Sequence, residues 1–457
     1  MKEYITIIGG GLAGSEAAYQ IAKAGIKVKL YEMKPIKYSD AHENKDLAEI
    51  VCSNSFKSNL HTNACGLLKE ELRLLDSLLI YIADNTSVPA GQALAVDREK
   101  FSRAVTEKLE EMENIEIIRE EVTDIEEIAK DGIVIIATGP LTSDKLSEDI
   151  MKLTGKDKLA FYDAAAPIIE KDSINFSIAF LGNRYDQERG KEEDVEIWKE
   201  RIKNQEASYI NLPMNKEEYE NFWNELVNAE VVELHDFEKK EIFEGCMPIE
   251  IMARRGIDTL RFGPLKPVGF TDLRTGRRPY AVVQLRQDNE EGTIFNMVGF
   301  QTNLKFGEQK RVFSLIPGLK DANFVKYGVM HRNTFINSPV LLNERYQTKQ
   351  NKNIFFAGQI TGVEGYVESI SSGLVAALNA IEKFNDTGKE VTFSKETMIG
   401  ALSKYISSEN ENFQPMNANF GILPQLDEKI KDKKLKYTKL ADRAINTIKN
   451  GRNTNEV

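Results

Sequence analysis

The chain has 457 residues, enough for two domains or three with ample core. Its 41% hydrophobic and 29% charged content is ordinary for a globular protein, and no apolar run reaches the roughly 20 residues that span a bilayer. A net charge of −11 argues against a bulk electrostatic nucleic-acid binder, though one basic face can still hold RNA, and three scattered cysteines argue against a disulfide framework and for a reducing cytoplasm.

The apolar run Ile5 to Ile8 is too short for a signal-peptide core and reads as a buried strand. Gly9-Gly10-Gly11-Leu12-Ala13-Gly14 follows and fits G-x-G-x-x-G through Gly9, Gly11 and Gly14. Ser15 to Ala24 is expected to be helical, Gly25 to end it, and Ile26 to Tyr31 to form a second strand closed by Glu32. Each part has a physical task. Gly9 permits the tight turn, Gly11 lets backbone approach a pyrophosphate, and Gly14 lets helix and strand pack closely. The helix N-terminus offers N–H groups to phosphate, and Glu32 offers a carboxylate to a ribose hydroxyl. The unit predicts dinucleotide binding without separating FAD from NAD. A Gly-rich turn with no ligand is the plainer alternative.

Lys34 to Asn63 is polar and irregular, carries CSNSFKS at Cys52 to Ser58, and reads as a functional loop. One helix is expected over Leu67 to Ala83, a turn at Val88-Pro89-Ala90-Gly91, and a helix over Arg98 to Met112 capped by Asp97. Ile115 to Ile118 and Ile133 to Ala137 are strands, the second ending in Thr138-Gly139-Pro140. From about Phe161 the texture changes to short strands mixed with acidic helices over Glu192 to Asn204 and Lys216 to Asn228. Tyr280 to Arg286 and Thr293 to Gln301 look like paired strands. The expected organisation is therefore one domain from residues 1–160 and 329–457, with an inserted α+β domain from 161–328 that meets RNA or substrate. Asn353 to Ala357 resumes the first sheet. Gly358-Gln359-Ile360-Thr361-Gly362 turns it into a helix over Gly365 to Phe384, whose positive end favours a reduced flavin. Gln359 stands where flavoproteins usually carry Asp. A Lys-rich helix over Asp427 to Asn450 closes the chain, more simply a solvated face than an RNA contact. No second G-x-G-x-x-G and no C-x-x-C occur, which weakens the disulfide-reductase reading. Four scattered histidines without H-E-x-x-H give no metal site.

Cys246, in Glu244-Gly245-Cys246-Met247-Pro248, heads a basic stretch. From Cys246 to Arg286 there are eight Lys/Arg against three acids, net +5. Nearby cations lower a thiol's pKa, so Cys246 reads as a nucleophile or as a buried structural thiol. Cys52 faces the dinucleotide or is a small buried hydrophobe, and Cys65 reads as structural.

The stretches IIGGGLAGSEAA, CSNSFKS, PAGQALAVDREKFS, FEGCMPIE, the run from FGPLKPVG to RPYAVVQLRQ, NMVGFQTNLKFGEQKRVF, YGVMHRNTFINSP and FAGQITGVEGYVES stand in collinear order over nearly the whole chain. Together they carry a resemblance to the folate- and FAD-dependent uridine-C5 methyltransferases of bacteria. It implies an α/β fold: a Rossmann-like FAD-binding domain of the glutathione-reductase-like flavoprotein kind, with an inserted α+β domain. It implies synthesis of 5-methyluridine at uridine 54 of the tRNA T-loop, in the cytoplasm, with FAD, methylenetetrahydrofolate and NADH or NADPH. It implies no membrane and no obligate protein partner. By resemblance Cys246 adds to uracil C6, and Cys52 removes the C5 proton or holds the one-carbon unit. The methylene passes from folate by way of the flavin to C5. Cofactor contacts are expected from Gly9, Gly10, Gly11, Leu12, Ala13, Gly14, Glu32, Ser53, Asn54, Gly139, Gly358, Gln359 and Gly362. RNA contacts are expected from Arg254, Arg255, Lys266, Arg277, Arg278 and Arg286, with Phe262, Phe270 or Tyr280 stacking on bases. Surface pairing with acidic helices is the plainer account of those arginines. The same chemistry on 23S rRNA, a wobble-uridine-modifying flavoprotein and a plain FAD oxidoreductase remain as alternatives.

Overall fold

The computed structural model describes residues 3–39, 41–130, 132–154, 159–185, 193–203, 207–232, 247–410 and 413–454. Cys246, the expected nucleophile, lies outside the described residues.

Short β-branched runs build the first sheet, buried on both faces as parallel strands require. Strands β1 (Tyr4–Ile8), β2 (Lys27–Tyr31), β3 (Ile115–Ile118), β4 (Ile133–Ile136) and β5 (Ile354–Phe356) pair in parallel in the order β5-β4-β1-β2-β3. Helix α1 (Leu12–Lys23) crosses from β1 to β2, α2 (Arg98–Glu110) precedes β3, and α3 (Tyr366–Phe384) follows β5. The chain departs from β1 toward β2 on one side and returns to β4 on the other. That reversal opens a crevice at the carboxyl ends of the strands, where ligands bind in such sheets. Helices α1 and α3 touch backbone to backbone: a Cβ on Gly373 would stand 2.2 Å from the carbonyl oxygen of Ala13. This is the Rossmann-like α/β fold the sequence predicts.

The second sheet is antiparallel and six-stranded. Its order is Phe180–Leu181, Tyr209–Met214, Ala281–Gln287, Ile294–Met297, Ile168–Glu170, Phe324–Lys326. A separate apolar core serves it, with Leu212, Phe222, Val283, Phe300 and Phe313 at its centre. The antiparallel pair Leu159–Ala164 and Met330–Phe335 joins the two parts of the chain. No described helix is long and apolar enough to cross a membrane.

Two local expectations are corrected. The single helix over Leu67 to Ala83 is two, Ala64–Leu74 and Leu78–Asn85. Asp76 takes a left-handed φ of 57°, and the Ser77 hydroxyl caps the second helix at Ile80 N–H. The loop holding CSNSFKS contains a strand, Ser55–Ser58, paired with Ala93–Val96 beyond the Val88–Gly91 turn.

Candidate functional site

The crevice is a cleft walled by the segments that leave the strands. Residues 8–13 end and follow β1, 31–34 end and follow β2, 137–143 follow β4, and Gly358 and Gln359 follow β5; Tyr366 and Ser369 close it from α3. At the start of α1, Gly11 is the N-cap, no side chain caps the helix, and its first turn has no acid. A Cβ on Gly11 would meet nothing within 4 Å. The helix thus presents donors that have no intrahelical partner to a gap kept clear of side chains. Gly9 and Gly14 are constrained instead. At Gly9, φ is +103° and a Cβ would stand 2.6 Å from Ala137 O, while at Gly14 it would stand 1.9 Å from Gly9 O.

Glu32 is buried in the wall, accepting from Gly10 N–H and Lys34 N–H at 2.9 Å each. Each carboxylate oxygen keeps a lone pair for a further donor. Gln359 donates to Glu364 at 2.5 Å, which fixes its amide. The residues present therefore fit a dinucleotide: an uncapped helix end for phosphate, space above Gly11, and a fixed acid for a hydroxyl. The positive end of α3 is less open than expected. Glu368 stands in its first turn, accepting from Ala418 N–H at 2.9 Å, and its carboxylate offsets part of the helix's charge.

The half-buried Cys52 sits in a loop pinned from three sides. Tyr366 Oη accepts from Cys52 N–H at 3.1 Å and Ser53 N–H at 3.0 Å. Arg98, from the first turn of α2, donates to Ile50 O at 3.1 Å and Val51 O at 3.0 Å. Its Nε meets the buried Asp288 carboxylate at 3.0 and 3.2 Å. Arg286 donates to Asn54 Oδ1 at 3.0 Å and Ser53 Oγ at 2.8 Å. Arg286 is the penultimate residue of the long central strand of the second sheet, Ala281–Gln287, and Asp288 follows that strand, so the sheet reaches the loop. Beyond the loop, Lys69 Nζ donates to Phe56 O and Ser58 O, both at 2.7 Å. The buried Cys65 thiol is pushed up to about 11 by that burial.

Of the expected cofactor residues, Gly9, Gly10, Gly11, Leu12, Ala13, Glu32, Gly139, Gly358 and Gln359 line the cleft; Gly14, Gly362, Ser53 and Asn54 do not. Gly14 packs within the turn. A Cβ on Gly362 would meet the Phe413 ring at 2.4 Å, so this glycine serves packing. Asn54 is wholly buried and spent on protein, its Nδ2 donating to Val96 O and Gln287 O. Ser53 Oγ is engaged by Arg286 and by Ser55 N–H. Among the expected RNA contacts Arg286 is corrected: it is 7% exposed and bound to Asn54 and Ser53. Phe270 is also corrected, being buried beneath the Arg184 guanidinium. Tyr280 is covered on one face by Arg261 at 3.6 Å. Arg254, Arg255, Lys266, Arg277 and Arg278 are exposed, as is Phe262, at 82%. The sequence reading missed Tyr366 and Arg98. An aromatic at the first position of a glycine-started helix was the available signal for Tyr366. The partner of Arg98 lies 190 residues away and left none.

Next to the undescribed segment with Cys246, Ile249 N–H donates to Gln301 O at 2.7 Å. The buried Glu250 accepts from Thr302 Oγ1 at 2.9 Å and Asn303 N–H at 2.8 Å. On its other side, Val232 N–H donates to Asn303 O at 2.9 Å. Both flanks of the segment are thus anchored on residues 301–303.

A family model described as glucose inhibited division protein A matches residues 4–388. A protein of Acetivibrio thermocellus named methylenetetrahydrofolate--tRNA-(uracil-5-)-methyltransferase TrmFO is 59% identical over 451 residues, 98% of each chain. One of the same name from Ligilactobacillus salivarius is 55% identical over 457 residues, all of both chains. Among solved structures, GidA of Aquifex aeolicus superposes with a TM-score of 0.67 at 17% identity, over 98% of this chain and 73% of that one, a likeness of fold alone.

Proposed function

Because the chain belongs to the glucose inhibited division protein A family, and within it to the methylenetetrahydrofolate--tRNA-(uracil-5-)-methyltransferases, we propose that it makes 5-methyluridine in tRNA, at uridine 54 of the T-loop. The observation that supports this most is the bonding of Cys52 and Ser53 N–H groups to Tyr366, a residue of the cleft wall. A thiol-bearing loop is thereby fastened to the same cleft that fits a dinucleotide. FAD held there, and reduced by NADH or NADPH, would supply the electrons that turn a one-carbon unit from methylenetetrahydrofolate into a methyl group.

The chain's own residues do the rest. The α1 N-terminus and the backbone of Gly11 to Ala13 take the pyrophosphate, and Glu32 takes a ribose hydroxyl. Gly139, Gly358 and Gln359 bound the remainder of the cofactor. Cys246, as thiolate, forms a bond to uracil C6, which puts the electron pair on C5. After C5 has gained its carbon, Cys52 as thiolate takes the C5 proton. The returning pair expels Cys246 and restores the ring. The segment 161–328 forms the RNA-facing unit and has its own core. Exposed Arg254, Arg255, Lys266, Arg277 and Arg278 meet phosphates there. This work is done in the cytoplasm and needs no obligate protein partner.

The test is nucleoside analysis of tRNA and 23S rRNA, separately, after incubation with the protein, FAD, NADPH and methylenetetrahydrofolate. 5-Methyluridine in tRNA only is expected, and Cys246→Ala is expected to abolish it while FAD stays bound. Product in rRNA alone would move the activity to that substrate; product in neither would overturn the reading.

A further inference from the structure

Four aromatic rings run outward from the second core. Phe313 is fully buried, Phe324 lies beside it at 6.5 Å between centroids, and Tyr327 stacks on Phe324 at 5.6 Å with ring planes 10° apart. Phe306 stacks on Tyr327 at 5.2 Å with planes 18° apart, and it is 56% exposed. A single exposed Phe is ordinary on a surface. This one is held nearly parallel to two supporting rings, which gives it a fixed orientation with little burial of its own.

Its place in the molecule is specific. Phe306 begins the helix Phe306–Phe313 and is separated from residues 301–304 by Lys305 alone. Those residues anchor both flanks of the segment that carries Cys246, through Ile249 N–H to Gln301 O, Val232 N–H to Asn303 O, and the bridge from Val231 to Leu304. On the other side, Lys326, next to Tyr327, pairs with Glu43 at 3.2 Å. Glu43 adjoins His42, which lines the cleft. The ring stack therefore stands between the anchor of the nucleophile's segment and the loop at the edge of the cleft. Around it, Lys305 is paired with Glu230 at 2.6 Å, and Arg311 is paired with Glu308 and Glu225. Lys310, one helical turn past Phe306, is exposed and has no ion-pair partner among the described residues. It leaves one cation beside the ring.

We propose that Phe306 is the outer face of a stacking platform for an unpaired nucleobase of the RNA, holding that base outside its helix as the RNA enters between residues 301–304 and the cleft. The proposal rests on the reading of the chain as an RNA methyltransferase. A base attacked at C6 must leave its stack, and an aromatic face recovers part of the stacking it loses. Every base has a π-face, so the platform sets affinity and leaves sequence choice to other contacts.

The experiment measures KM for a tRNA T-arm hairpin and for full tRNA with the parent chain, Phe306→Leu and Phe306→Trp. FAD absorbance and the unfolding midpoint serve as controls on folding. Base stacking on an aromatic residue corresponds to roughly 5- to 150-fold in affinity. Phe306→Leu keeps an apolar side chain without a π-face, and it is expected to raise KM for RNA about tenfold with kcat nearly unchanged. Phe306→Trp is expected to restore KM, and the emission of its introduced indole to be quenched when RNA binds. A parent-like KM in Phe306→Leu, while the parent methylates RNA, overturns the platform alone. If the parent chain neither binds nor methylates RNA, the functional reading falls and the platform with it.

Discussion

Gly11→Ala separates the cleft's role in binding from its role in folding. The glycine has φ −74° and ψ −167°, extended backbone that alanine adopts freely, and a Cβ there meets nothing within 4 Å. Stability of the flavin-free chain should therefore hold, or rise by about 0.4–1 kcal/mol as the unfolded chain loses freedom. Binding should suffer, because the methyl enters the space over the α1 N-terminus where the pyrophosphate is proposed to lie. Displacing the anion from one N–H donor removes a charge-assisted bond worth roughly 1.5–3 kcal/mol, or about 10- to 150-fold in FAD affinity. Calorimetric titration of the deflavinated variant with FAD, beside thermal unfolding of the same sample, measures both. Gly14→Ala is the contrast: its Cβ would stand 1.9 Å from Gly9 O, so it should unfold the unit itself. Parent-like FAD affinity in Gly11→Ala would refute the pyrophosphate's place. A loss of more than about 1 kcal/mol in the flavin-free chain, set against the expected gain, would refute the claim that the position is open.

Three further outcomes are expected. Asp288→Ala leaves the Arg98 guanidinium buried without its counter-charge and should cost about 3–5 kcal/mol in urea unfolding, whereas a cost below about 1 kcal/mol would show the pair to be solvated. Arg277→Ala should leave the unfolding midpoint in place and lower the salt dependence of RNA binding by about one charge, while Arg286→Met should lower the midpoint; a reversal of the two would restore Arg286 to the RNA face. Cys65 keeps its proton up to about 11 in the folded chain against an ordinary 9.0, so the stability this contributes is whole below pH 9 and fades as pH rises from 9 to 11. Iodoacetamide at pH 8 should accordingly leave Cys65 unmodified by mass spectrometry, and rapid labelling in the folded chain would contradict its burial.

The legible part of the fold is the part whose causes are local. β1, α1 and β2 follow from β-branched runs, three glycines and a helix-forming stretch within thirty residues, and the glycines' distinct tasks reappear in what a Cβ would meet at each. The helix Lys216–Asn228 agrees with the expected bounds because Asn215 and Glu218 form a capping box at its start. The failures have non-local causes. Apolar spacing continues across Leu75 to Ser77, so only the left-handed Asp76 divides the helices. Arg286 looks basic and free when charges are counted along the chain, but its partners, Ser53 and Asn54, lie more than 230 residues earlier. Cys52 could be singled out from its setting, yet the groups that fix it come from α2, α3 and the second sheet.

That arrangement constrains how the proposed reaction proceeds. To move the Cys52 loop, the chain must release Arg98 from two carbonyls, Arg286 from Ser53 and Asn54, and two N–H groups from Tyr366. Each separation leaves a buried polar or charged group with a partner fewer, at about 1–3 kcal/mol apiece. A loop held this way is a poor candidate for swinging toward a substrate. An RNA base, by contrast, leaves its stack for a few kcal/mol, and part of that returns when it finds a new aromatic face. On these magnitudes the uracil makes the approach and the thiol waits in place. Mutations that loosen the clamp should then slow removal of the C5 proton more than they weaken RNA binding.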